Sequence, residues 1–297
     1  MHTGSIFLQT LVGGIGIGSL YALVALGYSM VFRSMGLVNF AHGSIYMVGT
    51  YLGIIWFAGI VKTLQMPYAA ALIVGILLTA LLGVILERIF RPLAKLDLMF
   101  MLLGTIGLGY VLDNLFVIIF GAEGFAVNSP LSNTPIKFAG IRILPQMALL
   151  IGVSAILMIG LQLFLSKTKV GTAMRASAAD YEIARTMGIS VNRMNALTLA
   201  IGSGLAAAAG ILAAPIVYVN PAMGAAVGLK GFAAAILGGL GSIPCAIVGG
   251  LVFGVLEALS AGFISSSWTK GIAFIVVLVV LMVKPSGIVG EVTVEKV

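Results

Sequence analysis

Long runs without a charged residue are the feature of this sequence that most restricts its fold. No Asp, Glu, Lys or Arg precedes Arg33, and the next charge after Arg33 is Lys62. Each run exceeds the roughly 20 apolar residues that a helix needs to cross a bilayer core of about 30 Å. Only 8% of the residues are charged and 61% are hydrophobic, whereas a soluble domain has about 25% charged residues. The sequence therefore predicts an all-α, polytopic transmembrane helical bundle and excludes a water-soluble globule.

The spacing of charges and turn residues divides the chain into about eight to nine spans within a single membrane domain, residues 1–297. The seventh and eighth spans are short and rich in glycine, so they could equally be one span plus a re-entrant segment covered by protein. No internal repeat is convincing by eye, although diverged inverted repeats are common in transporters. The predicted spans cover about residues 6–32, 37–60, 67–87, 98–120, 146–165, 194–217, 225–240, 245–262 and 270–283.

Two polar stretches lie between the predicted spans. The stretch at about 121–145 contains several Asn, Ser, Thr and Pro residues, which predict an ordered loop outside the membrane. The stretch at about 167–193 is the longest polar one, and half of the 16 basic residues fall either there or near Arg88 and Arg91. Because Lys and Arg are enriched in cytoplasmic loops, both basic stretches are placed in the cytoplasm and the 121–145 loop outside. The net charge of +7 reflects this asymmetry and does not indicate a nucleic-acid partner.

Residue patterns for catalysis or metal binding are missing from the sequence. It contains no G-x-x-x-x-G-K-[ST] stretch for binding phosphates and no Cys/His set with metal-ligand spacing. The lone cysteine, Cys245, has no partner for an internal disulfide and is interpreted as a small packing residue. We therefore expect no cofactor, no metal site and no enzymatic activity of the chain's own.

A few polar residues fall within the predicted spans, where a charge costs about 2.5 to 3.5 kcal/mol on insertion scales. Such residues usually face a bundle interior or a watery path, so they are candidates for a translocation pathway. Each of them could instead make a structural contact between helices or cap a helix at the interface. The candidates are Asn39, His42, Asp113, Asn114 and Glu257, together with Lys230, whose long side chain could also reach the interface.

The 167–193 stretch also contains a predicted amphipathic helix on the cytoplasmic face. Small and apolar residues such as Ala173, Ala184 and Met187 recur at roughly helical spacing, and Gly188 follows as a C-cap glycine would. A helix in such a place can lie on the membrane surface or in a groove of a partner protein. Its mixed charges, which include Arg175 and Glu182, favour a protein partner.

Several motifs in this chain resemble those of a known transporter family. The pattern of Gly171, Ala173, Arg175, Ala184 and Gly188 resembles the cytoplasmic coupling segment of ABC importer permeases. The stretch VNFAHG at 38–43, the glycine-rich stretch at 228–250 and the ending from residue 284 are similar to branched-chain amino acid permeases of the LivH type. The resemblance covers nearly the whole chain, and four motifs occur in the same order.

The resemblance implies a multi-pass subunit of the bacterial inner membrane that forms half of a translocation pathway for leucine, isoleucine and valine. It implies four partners: a second related permease, two cytoplasmic ATP-binding subunits that supply ATP hydrolysis, and a periplasmic substrate-binding protein. Gly171, Ala173, Arg175, Ala184 and Gly188 would contact the ATP-binding subunits. Related permeases carry urea, short amides or other amino acids, and the sequence does not separate these substrates.

A different class of function is also compatible with the sequence. An ion-gradient-driven secondary transporter could use Asp113 and Glu257 as proton or cation sites in the membrane. The two interpretations differ in the coupling helix, which only the ABC importer requires.

Overall fold

The computed structural model describes residues 3–58, 66–93, 98–132, 134–138, 141–265 and 268–290, and these residues are nearly all helical. Two three-residue strands, β1 (Ile136–Phe138) and β2 (Ile141–Ile143), form an antiparallel hairpin. The helices are α1 (Thr3–Met35), α2 (His42–Phe57), α3 (Tyr68–Leu93), α4 (Leu98–Phe120), α5 (Pro145–Lys167), α6 (Lys169–Ala179), α7 (Tyr181–Thr186), α8 (Val191–Ala213), α9 (Met223–Gly238), α10 (Ile243–Leu259) and α11 (Thr269–Val283).

The prediction of an all-α, multi-pass membrane protein is confirmed. Among the described residues, six helices are long and apolar enough to cross a bilayer: α1, α3, α4, α5, α8 and α10 with its π-helical extension Ser260–Ile264. The other three predicted spans coincide with α2, α9 and α11, which have 16, 16 and 15 residues. At about 1.5 Å per residue each reaches only about 24 Å, which is less than a bilayer core. Of the charges used to place the spans, Lys62, Lys95 and Lys296 lie outside the described residues.

The predicted loop at 121–145 is ordered and packs on the bundle. The backbone of Phe125 pairs with that of Val219, and the Tyr218 hydroxyl donates to the carbonyl oxygen of Gly124. The side chain of Gln9, in the first turns of α1, donates to the carbonyl oxygen of Arg142 at 3.0 Å. These contacts place the loop over the start of α1 and the end of α8.

The helices α1 and α8 form the centre of the bundle, with α3, α4, α5 and α11 around it. Close packing of α1 with α10 depends on glycine, because small residues let two helix backbones approach closely. A Cβ atom at Gly14 would lie 2.8 Å from the Cα of Val255, and one at Gly18 would lie 2.9 Å from the Cα of Leu251. Gly254 lies against Gly18 in the same contact. No larger side chain fits there unless the helices separate.

The structure reveals an inverted repeat, which is too diverged to be seen by inspection of the sequence. Helices α8, α9, α10 and α11 correspond in order to α1, α2, α3 and α4. The packing of α1 along α10 is equivalent to that of α8 along α3, and the packing of α9 on α1 is equivalent to that of α2 on α8. The two halves run in opposite directions. The Ser34 hydroxyl near the end of α1 donates to Asn195 at the start of α8, with a distance of 2.7 Å.

A short sequence motif marks the same position in each half. VNFAHG at 38–43 precedes and enters α2, and VNPAMG at 219–224 precedes and enters α9. In both, the N–H of the first helical residue donates to the Asn carbonyl oxygen at 3.1 Å, from His42 to Asn39 and from Met223 to Asn220. The identical turns explain why α2 and α9 both start late and are both short.

Candidate functional site

The two short helices meet at their N-termini. A Cβ at Gly224 would lie 2.7 Å from the carbonyl oxygen of Gly43, and one at Gly228 would lie 2.7 Å from the Gly43 Cα. The non-helical segment before α2 is covered by protein: Asn39 is 2% exposed, and its side-chain oxygen accepts from the N–H of Ala41 at 3.1 Å. Irregular backbone of this kind occurs at membrane depth where protein covers it or where it lines a cavity.

A cavity of about 410 Å³ lies beside this meeting point. This volume falls within the range of about 300 to 1,000 Å³ that is usual for small-molecule sites. One side of the cavity is open, because Tyr110 and Leu229 on its wall are exposed. Its wall comprises Tyr28 of α1, Phe40, Gly43 and Ser44 around the start of α2, Ile106, Gly109, Tyr110 and Asp113 of α4, and Gly224, Ala225, Gly228, Leu229 and Phe232 of α9.

Asp113 is the acidic residue in this wall. Its carboxylate contacts the hydroxyl of Ser44, in the first turn of α2. The carboxylate oxygen Oδ1 is buried and has no hydrogen-bond partner within the described ranges. A carboxylate in a membrane-spanning helix that has no cationic partner in the cavity wall and one oxygen without a hydrogen bond is expensive, so this position needs a functional explanation.

Asn114, the other polar candidate on α4, does not reach the cavity. Consecutive residues of a helix point about 100° apart, and the Asn114 side chain is exposed on the outer face of α4. Its amide nitrogen donates to the carbonyl oxygen of Tyr110 in the preceding turn at 2.8 Å. The structure thus separates two residues that are adjacent in the sequence.

His42 packs α2 against α1 and does not line the cavity. The side chain is 1% exposed, and its ring meets that of Tyr28 edge-on, with the centroids 4.7 Å apart. Its Nε2 lies against Gly27 of α1 and has no hydrogen-bond partner among the described residues. His42 and Asn39 therefore shape the broken start of α2 from behind the cavity wall.

Glu257 lies on the other side of α9, in a partly buried ion pair with Lys230. The Lys230 Nζ is 2.5 Å from a Glu257 carboxylate oxygen, and the two side chains are 16% and 15% exposed. The Tyr21 hydroxyl donates to the other carboxylate oxygen at 2.7 Å and accepts from Lys230 at 3.0 Å. These three residues, which we call the α9–α10 polar cluster, join α1, α9 and α10 and take no part in the cavity.

The predicted amphipathic helix is two helices, α6 and α7, joined at Asp180. The Asp180 carboxylate accepts from the Ile183 N–H at 2.8 Å and so caps α7. Gly171 faces the end of α5, where a Cβ would lie 2.5 Å from the Cα of Leu165. Ala173 is half-buried and Ala184 buried, whereas Arg175 is exposed. The inner face of the segment therefore rests on the bundle through its small residues.

Gly188 ends α7, as the sequence predicts. Its φ is +81°, a left-handed conformation in which a side chain is disfavoured. The Ile189 N–H donates to the Ala184 carbonyl at 3.0 Å and the Gly188 N–H donates to the Arg185 carbonyl at 3.1 Å, the two bonds of a Schellman motif. Just before it, Ile183 and Met187 are 62% and 78% exposed, so α7 presents an apolar outer surface.

The sequence did not point to three residues of the cavity wall, which are Ser44, Gly224 and Tyr28. The repeated VN-x-A-x-G motif was a usable signal, because it marks the starts of both short helices. Neither Ser44 nor Tyr28 carries a charge, so the search for charges at membrane depth did not select them.

Comparison with known proteins finds one family and several relatives along nearly the whole chain. Residues 10–281 match the family model described as branched-chain amino acid transport system / permease component. The chain is 36% identical to the high-affinity branched-chain amino acid transport system permease proteins LivH of Salmonella typhimurium and BraD of Pseudomonas aeruginosa, with 98% of each chain covered. It is 31% identical to a probable branched-chain amino acid transport permease protein LivH of Methanocaldococcus jannaschii, over 94% of this chain and 91% of that one.

Proposed function

The chain belongs to the family of branched-chain amino acid transport permeases, and from this premise we propose that it is one half of the translocation pathway of an ATP-driven importer. The observation that carries the proposal is identity over nearly the full length of relatives that are named as branched-chain amino acid permeases. Their names also favour leucine, isoleucine and valine over urea, short amides or other amino acids as substrates. The proposed location is the inner membrane of a bacterium.

The proposed partners are a second related permease, two cytoplasmic ATP-binding subunits and a periplasmic binding protein. The open side of the cavity supports the first partner, because a second permease at this face would complete the wall. In this arrangement α2, α9 and α11 complete their crossings together with the adjoining non-helical segments, which gives eight to nine spans. Substrate would pass along the wall formed by α2, α4 and α9.

Helices α6 and α7 are the proposed coupling segment for the ATP-binding subunits. The support is their two-sided packing: α6 rests on α1, α5 and α8, whereas the outer side of α7 exposes Ile183 and Met187. A subunit that grips α7 differently in its ATP-bound and ATP-free states would shift the populations of two permease conformations. Through α6, that shift would reach α1 and α8 in the centre of the bundle.

The secondary-transporter interpretation is weakened by the ion pair of Glu257. A proton or cation site needs a carboxylate that is free to bind the ion, and Lys230 already neutralises this one. Asp113 by itself does not distinguish the two classes.

The coupling role of Gly188 can be tested with Gly188→Val. A β-branched residue is strained at positive φ, so the Schellman motif should be lost and α7 displaced. We expect ATP-driven leucine uptake in proteoliposomes containing the complete transporter to fall at least about tenfold, with the permease still inserted. Gly121→Val is the matched control, because Gly121 has a φ of +84° and no atom close to its missing side chain, but lies at the other end of the bundle.

The same assay decides between the two functional classes. ATP-dependent uptake only with the ATP-binding subunits supports the importer, and uptake by the isolated chain without ATP supports the secondary transporter. Coupled uptake by Gly188→Val equal to that of Gly121→Val would show that α7 is not the coupling segment.

A further inference from the structure

The cavity beside Gly43 and Gly224 combines two opposite electrostatic features. One is the pair of helix N-termini in its wall, where Gly43 and Ser44 of α2 and Gly224 and Ala225 of α9 line the cavity. Neither Ala41 nor Ala222, the N-cap residues of α2 and α9, has a side chain that caps the helix. The first-turn N–H groups have no partner within their own helix, and each helix start carries the equivalent of about half a positive charge. A helix start in the wall of a cavity favours an anion beside it.

The second feature is the carboxylate of Asp113, which carries the opposite charge. It does not serve as that anion, because its contact with α2 is the Ser44 hydroxyl and its Oδ1 lacks a hydrogen-bond partner in the described part of the chain. The cavity therefore offers an anion site at the helix starts and a cation site at Asp113, with Ser44 adjoining both.

The remainder of the wall is apolar and aromatic. Phe40 and Phe232 stand side by side, with ring centroids 5.9 Å apart, and Tyr28 packs on Phe232 with centroids 5.6 Å apart. Ile106 of α4 completes this surface. A ligand that fits the whole cavity has a cationic group and an anionic group close together and a short hydrocarbon side chain.

We propose that the cavity binds its substrate as an α-amino acid zwitterion, with the ammonium at Asp113 and the carboxylate at the backbone N–H groups of Ser44 and Ala225. The two charged groups of an α-amino acid are attached to the same carbon, which is why their binding groups must adjoin as they do around Ser44. A branched aliphatic side chain packs against Phe40, Phe232 and Ile106. This inference rests on the proposed function, because it takes the cavity to be part of the translocation pathway.

Three ligands separate the two charge contacts: leucine, leucinamide, which lacks the carboxylate, and 4-methylpentanoate, which lacks the ammonium. Binding is measured to the purified complete transporter in detergent, without the binding protein, by displacement of radiolabelled leucine. We expect leucine to bind the native transporter at least about tenfold more tightly than either analogue, since a hydrogen bond to a charged group contributes about 1.5–3 kcal/mol.

Two substitutions should each abolish one of these differences. Asp113→Asn removes the cation site, so leucine should lose at least about tenfold in affinity and bind no better than 4-methylpentanoate. Ala225→Pro removes one N–H at a position in the first turn of α9 where proline is tolerated, so leucine should bind no better than leucinamide. Asn114→Ala, on the outer face of α4, is the matched control and should leave all three affinities unchanged.

The pattern of losses decides whether the proposal holds. Equal losses for leucine and 4-methylpentanoate in Asp113→Asn would overturn it, as would unchanged leucine binding in that variant or native binding without a preference for leucine. Asp113→Glu keeps the charge and should recover part of the affinity, which separates charge recognition from misfolding. If the native transporter, supplied with its binding protein and ATP, takes up no leucine, the proposed function itself fails. If it takes up leucine but the variants bind the three ligands like the native protein, only this inference fails.

Discussion

Helix α9 has partly buried charges on each of two sides, and the surroundings of the two sets of charges are opposite in kind. On one side Lys230 is paired with Glu257, and Tyr21 supplies a hydrogen bond to the carboxylate and accepts one from the ammonium. On the other side Asp113 lines an open-sided cavity with an oxygen that has no partner in the described part of the chain. A buried charge that is paired and hydrogen-bonded inside the protein is structurally complete. A carboxylate left unpaired at the wall of a cavity is suited to a ligand.

The difference predicts that substitutions on the two sides of α9 separate stability from transport. Variants of the α9–α10 polar cluster should reduce stability first and transport only as a consequence. Variants of Asp113 should reduce substrate binding while the protein keeps its stability.

The largest loss of stability is expected for Glu257→Gln. Removing one charge of a buried pair leaves the Lys230 ammonium uncompensated, which costs about 3–5 kcal/mol. The measurement is thermal unfolding of the purified transporter in detergent, with Asp113→Asn as the comparison. If Glu257→Gln and Asp113→Asn both unfolded at the same temperature as the native protein, the ion pair would contribute no more to stability than Asp113 does, and the prediction would be wrong.

A smaller change is expected when both charges are removed together, in Lys230→Met with Glu257→Met. Apolar residues of similar volume in place of a buried ion pair are often neutral or stabilising, so the double variant should lie within about 1 kcal/mol of the native protein. Recovery relative to Glu257→Gln in the same unfolding experiment would show that the pair is structural. A stable double variant that no longer transports leucine would instead assign the pair a part in transport.

The smallest effect is expected for Tyr21→Phe, which removes one hydroxyl from the α9–α10 polar cluster and leaves the ion pair. Loss of a hydrogen bond of this kind costs about 1 kcal/mol, or somewhat more because the partner is charged. Uptake of leucine at saturating concentration should be close to native. A loss of stability as large as that of Glu257→Gln would mean that Tyr21, and not the salt bridge, holds α1 to α9 and α10.

Helix positions could be predicted from this sequence because the charges that interrupt it are few. The spacing of charges and turn residues located the nine long or apolar helices of the described residues approximately, although it left open whether α9 and α10 are two spans, and Gly188 marked the end of α7. The residues of the 37–60 run that precede His42 are not helical, because Asn39 forms a turn there whose geometry depends on its own side-chain oxygen. Apolar composition contains no signal for such a turn.

The candidate site was predictable only as a set of separate residues. Asp113 and Glu257 stand out as charges in apolar segments, but whether each has a partner depends on which helices touch. Glu257 is 27 positions from Lys230 and on another helix, and the pairing follows from the packing of α9 on α10. Asn114 was selected only through its neighbour Asp113, and the rotation of the helix places it on the other face.

The contact between Gly43 and Gly224 has a consequence for how the molecule could move. It joins equivalent residues of the two inverted halves, which also touch where α1 packs along α10 and α3 along α8, and backbone meets backbone there without intervening side chains. If one half rocks against the other, as in many transporters built from inverted repeats, this point acts as the fulcrum and is displaced least. A substrate bound beside this fulcrum keeps its contacts while the pathway closes to one side of the membrane and opens to the other. Substrate binding and the change of access are therefore mechanically independent.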